Sequence, residues 1–190
     1  MKVQLVAVDW AVALAAGYVA TKITDQAQRA LWQATPECEK AREPDVPDGS
    51  SARSAARLLC EWCSIEPTHE RLSRLKTVVH YGLGLGWGSI YGFLRRRDSM
   101  RPLAAGVLTG TSLSLVIDEA LNPLLGITPP AHRYPASSHA RGFLTHLIYG
   151  LAVAAAAEGL HRLVSHGQAR WSMLEADSDS PPRLAVTARR

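Results

Sequence analysis

The chain has 190 residues, 47% hydrophobic and 20% charged, with 21 Lys and Arg against 17 Asp and Glu for a net charge of +4. That length has room for one domain or one small membrane bundle. The positive balance comes largely from an Arg-rich loop and tail, a pattern that suits anionic lipid rather than nucleic acid.

Apolar residues concentrate in roughly 3–24, 77–94, 103–127 and 142–160, while 37–76 and 164–190 are polar. Each apolar block approaches the ~20 residues a helix needs to cross a ~30 Å hydrocarbon core. All four are rich in Gly, Ala, Leu and Val, as membrane helices tend to be. The expectation is an all-α, four-helix transmembrane bundle over 1–163. A soluble four-helix protein is the competing reading, because no block is purely apolar.

The first block, "MKVQLVAVDWAVALAAG", has the outline of a signal peptide, but Asp9 interrupts its apolar run. The polar stretch after it holds all three cysteines, Cys38, Cys60 and Cys63. Within it, residues 51–64 read as an amphipathic helix and 66–76 as another short one. Cys38, Cys60, Cys63 and His69 are a possible zinc set. A disulfide from Cys38 to one of the other two is the alternative.

In the second block, "HYGLGLGWGSIYG" invites a nucleotide-loop reading. Trp87, Ser89 and Tyr91 stand where that fingerprint needs glycine, and no strand precedes it. Gly84, Gly88 and Gly92 recur every fourth residue instead, the small-residue stripe that lets membrane helices approach closely. Gly150 and Ala154 continue the pattern in the fourth block, and Glu158 breaks it. The short connection "RRRDSMRP" carries Arg95, Arg96, Arg97 and Arg101. By the positive-inside rule it is cytoplasmic, with both termini, leaving 37–76 and 128–141 outside. The third block runs through Asp118 and Glu119 to Thr128-Pro129-Pro130. The tail 164–190 is expected to be a disordered cytoplasmic segment.

An internal repeat links these blocks. Shifted by 93 residues, Gly17, Asp25, Ala27, Leu31, Thr35 and Pro36 fall on Gly110, Asp118, Ala120, Leu124, Thr128 and Pro129. Shifted by 66, His80, Gly84, Leu85, Leu94 and Arg96 fall on His146, Gly150, Leu151, Leu160 and Arg162. Two helical hairpins in parallel repeat would bring Asp25, His80, Asp118 and His146 to one depth near the outer face, with Glu119 beside them. Intramembrane ionisable groups are costly and face the interior in pairs. Asp–His pairing offers interhelical hydrogen bonds or a pH-responsive contact. His132 and His139 are expected as exposed loop residues.

"GITPP", "YPASSHARGFLTHLIYG" and "VVHYGLGLGWGSIYG" together resemble the YagU-like bacterial inner-membrane proteins, a family of unknown function, over roughly 75–160. The resemblance implies a bacterial multi-pass inner-membrane protein and carries no activity with it. The function expected is non-enzymatic, with an outer-leaflet Asp/His cluster that packs the bundle or senses pH. A proton or small-solute transporter component and a haem- or metal-binding membrane subunit are the alternatives. No cofactor is expected. The expected partners are the lipid bilayer and other membrane-protein subunits, with no nucleic acid.

Overall fold

A computed structural model describes residues 2–97 and 100–178. Among the described residues the fold is all-α, with no strand. Six helices follow in order: α1 (Lys2–Ala34), α2 (Glu37–Lys40), α3 (Ser51–Trp62), α4 (His69–Arg97), α5 (Pro102–Leu124) and α6 (Ala136–Ser178). α5 and α6 are long and apolar enough, by length and composition, to cross a membrane.

Several boundaries differ from the sequence expectation. The short helix expected at 66–76 and the span expected at 77–94 are one element, α4, because no Gly or Pro separates them. α6 runs through 164–178, where a disordered tail was expected. That stretch holds Ala, Gln, Arg, Met, Leu and Glu, all residues of good helix propensity. The rest of that tail, 179–190, and Asp98 and Ser99 of the Arg-rich connection lie outside the described residues.

α1 packs along both α4 and α6, and α5 packs along α6. α4 and α5 touch over a shorter stretch. Small residues set the tight contacts. A Cβ on Gly88 would lie 2.7 Å from the Ala13 carbonyl oxygen and 2.8 Å from the Gly17 Cα. A Cβ on Gly150 would meet the Gly106 carbonyl and lie 2.9 Å from the Gly110 Cα. Such close backbone approach gives extensive van der Waals contact between the helices. Ala16, Ala20, Ala105, Leu113, Val153, Ala157, Tyr91 and Tyr149 fill the centre as one buried cluster.

α5 is not regular. Leu113–Leu121 is a π-helix, with the Asn122 N–H reaching the Ile117 carbonyl. Pro123 follows, lacking an N–H and crowding the carbonyl four residues back, at Glu119. The widened turn relieves that clash and rotates Asp118 and Glu119 relative to Gly110. The helix ends at Gly126, whose φ of 69° is left-handed backbone that glycine adopts without strain.

Candidate functional site

The site lies at the end of the bundle where α1 and α5 finish and α4 and α6 begin. His80 on α4 approaches Asp25 on α1, Nε2 to Oδ1 2.9 Å. His146 on α6 approaches Asp118 in the π segment, Nε2 to Oδ2 2.7 Å. In both pairs Nε2–H donates to the carboxylate. Asn122 also donates to Asp118, at 3.3 Å.

Both pairs line one cavity of about 280 Å³. Thr21, Thr24, Gln28 and Arg141 add to its polar wall. Thr21 and Thr24 donate to Gly17 and Ala20 carbonyls in their own helix, so their hydroxyls are satisfied. Below the cavity, Trp87 Nε1 donates to Ser112 Oγ at 3.2 Å, closing the α4–α5 seam. The buried Tyr149 hydroxyl donates to the Gly84 carbonyl and ties α6 to α4 at the same level.

Glu119 takes a different partner. It meets His139 Nδ1 at 2.6 Å, while His139 Nε2 lies 3.0 Å from the Ala131 carbonyl oxygen. Both ring nitrogens of His139 therefore face oxygen acceptors, an arrangement only imidazolium satisfies with two donors. His139 was expected as an exposed loop residue. It sits instead in the first turn of α6, because that helix starts at Ala136. No repeat register could reveal this pair, since Ser73 stands 66 residues before His139. Among the described residues His146 Nδ1 is buried with no hydrogen-bond partner, and the ring's contact is through Nε2.

A strap from the polar segment covers the cavity. Arg141 pairs with Glu43, approaches Thr35 Oγ1 at 3.4 Å and stacks on Trp32, its guanidinium 5.0 Å from the ring centre. Ser138 donates to Glu43 at 2.6 Å. Ser51, Ala52 and Ala55 at the start of α3 form part of the cavity wall. α3 is held by Arg57, which binds the Asp48 carboxylate in a turn where Asp48 has φ 55°. Asparagine and aspartate tolerate that left-handed backbone better than most residues.

The Arg57 guanidinium holds the Asp48 carboxyl below its ordinary range, its hydrogen bond outweighing desolvation. A carboxylate depressed on folding contributes stability above its unfolded pKa and loses it as pH falls through the folded value. The strap should therefore loosen only below about pH 4. The check is the reactivity of buried Cys60, relative to exposed Cys63, toward a dithiodipyridine reagent. We expect the ratio to rise in acid, and R57Q to show the raised ratio already at neutral pH.

The four possible zinc ligands do not converge. Cys60 is buried against Ala56 and Leu72, whereas Cys38 and Cys63 are exposed. His69 Nδ1 lies 3.1 Å from Arg53. Among the described residues no group of three or more His, Cys, Asp or Glu could hold a metal ion. Gly84, Gly88, Gly92 and Gly150 all stand at helix contacts: Gly84 abuts Thr21, and a Cβ on Gly92 would lie 3.2 Å from the Ala13 Cβ.

The opposite end holds a second polar group. Glu158 accepts from Tyr91 at 3.0 Å and from Arg95 Nε at 2.7 Å, and Arg95 also donates to the Met100 carbonyl. Arg96 pairs with Asp9, and His161 Nδ1 lies 3.7 Å from the same carboxylate. Comparison with family models, curated proteins and solved structures finds no match.

Proposed function

We propose that this chain is a multi-pass membrane protein without enzymatic activity, a four-crossing bundle of two hairpins in parallel repeat. In this reading three acid–imidazole pairs hold its outer end together, and the Glu119–His139 pair makes that end responsive to pH. The observation that carries it is their assembly: Asp25–His80, Asp118–His146 and Glu119–His139 gather at one end, two of them around a shared cavity. Imidazole is the side chain whose ordinary titration spans physiological pH.

The membrane reading draws support from the outside of the bundle. Trp10, Leu14, Tyr18, Val19, Ile23, Val78, Ile90 and Phe93 on α1 and α4 are exposed, as are Leu103, Val107, Leu108, Leu115 and Val116 on α5 and Phe143, Leu144, Leu151 and Leu163 on α6. So much exposed apolar surface fits hydrocarbon surroundings. The positive-inside rule, applied to the Arg-rich connection, supports cytoplasmic termini and an acid–imidazole end toward the outer leaflet of a bacterial inner membrane.

The three pairs differ in what a second ring proton does. On His139 it supplies the donor that the Ala131 carbonyl needs. His146 has no acceptor at Nδ1 among the described residues and joins α6 to α5 through its Nε2 hydrogen bond to Asp118. Detergent-solubilised protein should be roughly 1 kcal/mol more stable at pH 5 than at pH 8, the worth of the second hydrogen bond that protonated His139 makes. The variant H139N should lose that slope. A flat profile in the wild type, or an unchanged slope in the variant, contradicts the reading.

The cavity itself favours a second reading, passage of protons or a small solute. The buried cluster around Val153, Tyr149 and Ala16 separates it from the polar group at the other end. Proteoliposome flux decides between the two: D118N should abolish flux if the cavity conducts.

A further inference from the structure

Resting on the membrane-spanning reading, we propose that the arginine end of the bundle carries a binding site for one anionic phospholipid. A groove of about 390 Å³ lies between α1, α4 and α6, away from the acid–imidazole cavity. Its wall is apolar, with Trp10 and Phe93 each more than half exposed, at 52% and 54%, over the small residues Ala13, Gly92 and Ala157. From Ser89 to Arg96 along α4 it runs ~10 Å at 1.5 Å per residue, room for part of an acyl chain.

The mouth is charged. Two carboxylates, Asp9 and Glu158, are covered by Arg96 and Arg95, and His161 stands beside Asp9. Arg96 remains 45% exposed at the rim. Arg101, directly after the Met100 that Arg95 binds, and Arg162, directly after His161, are exposed and form no ion pair among the described residues. The groove's acids are thus already neutralised, and the surplus around it is cationic. An apolar slot ending in surplus guanidinium at the cytoplasmic face matches a lipid whose phosphate is anionic and whose chain lies in hydrocarbon. A soluble phosphate would use the rim and leave the slot empty.

Native mass spectrometry of the full chain in detergent, offered equal phosphatidylglycerol and phosphatidylethanolamine, tests this. Preferential retention of phosphatidylglycerol is expected. R96Q should weaken it roughly fivefold, the loss expected for one basic residue at a membrane surface. K22Q, at the other end of the bundle, should leave it unchanged. Should R96Q fail to fold, brominated phosphatidylglycerol provides a readout on folded protein: it should quench wild-type tryptophan fluorescence more than that of W10F. Equal retention of the two lipids, quenching identical in W10F, or displacement of bound lipid by soluble glycerol phosphate overturns the proposal. The membrane reading fails separately, if the chain is monodisperse in water without detergent.

Discussion

Leucine in place of Gly150 is expected to separate α5 from α6. A Cβ there meets the Gly106 carbonyl and lies 2.7 Å from the Gly110 nitrogen, so its neighbours are backbone and cannot swing away. Overpacking against a side chain costs about 1–3 kcal/mol. Against a helix backbone the cost should reach about 3 kcal/mol or more, because the whole helix must move. The His146–Asp118 pair, one turn away on the same two helices, should break with it. The control is on α4: Gly82 and Gly86 have nothing within 4 Å of an added Cβ. G86L should change stability by no more than about 0.5 kcal/mol. Thermal or SDS-induced unfolding in detergent measures both. Equal tolerance at the two positions would mean that the close contacts do not hold the bundle.

The second large effect is expected at Glu158. Its carboxylate is the acceptor for Arg95 and for the hydroxyl of Tyr91, which is 2% exposed. Alanine leaves a half-buried guanidinium and a buried phenol without that acceptor. Breaking a fully buried pair costs roughly 3–5 kcal/mol. Here both partners keep more than a quarter of their side-chain surface exposed, so about 2 kcal/mol is the expectation. E158Q retains an acceptor oxygen and should lose less than half as much, measured by the same unfolding assay. Equal losses for the two variants would assign the effect to charge alone.

Much of this arrangement can be read from residue spacing, and the exceptions have physical causes. Offsets of 93 and 66 residues name Asp25, Asp118, His80 and His146, because a carboxylate and an imidazole at matching depths are conspicuous in apolar sequence. The glycine stripe of α4 is equally plain. Its complement on α1 is not: Ala13, Gly17 and Thr21 form no conspicuous stripe, and only the contacts reveal a packing face. The π segment depends on Pro123 acting backward on Glu119, which no periodicity of 3.6 anticipates. Glu119 found its partner through that irregularity and through the early start of α6, so the His139 pairing was hidden twice. Glu158 reads as a flaw in a small-residue stripe until Arg95, counted as loop charge, proves to lie within α4. The cysteines and His69 fail to converge because α3 turns Cys60 inward and Cys63 outward.

The most direct test is cysteine accessibility in sealed inverted and right-side-out vesicles, with single cysteines at positions 80 and 118 in a cysteine-free background. Membrane-impermeant reagent should reach both positions from the outer side, since both line the same cavity. Labelling from opposite sides would contradict the shared site.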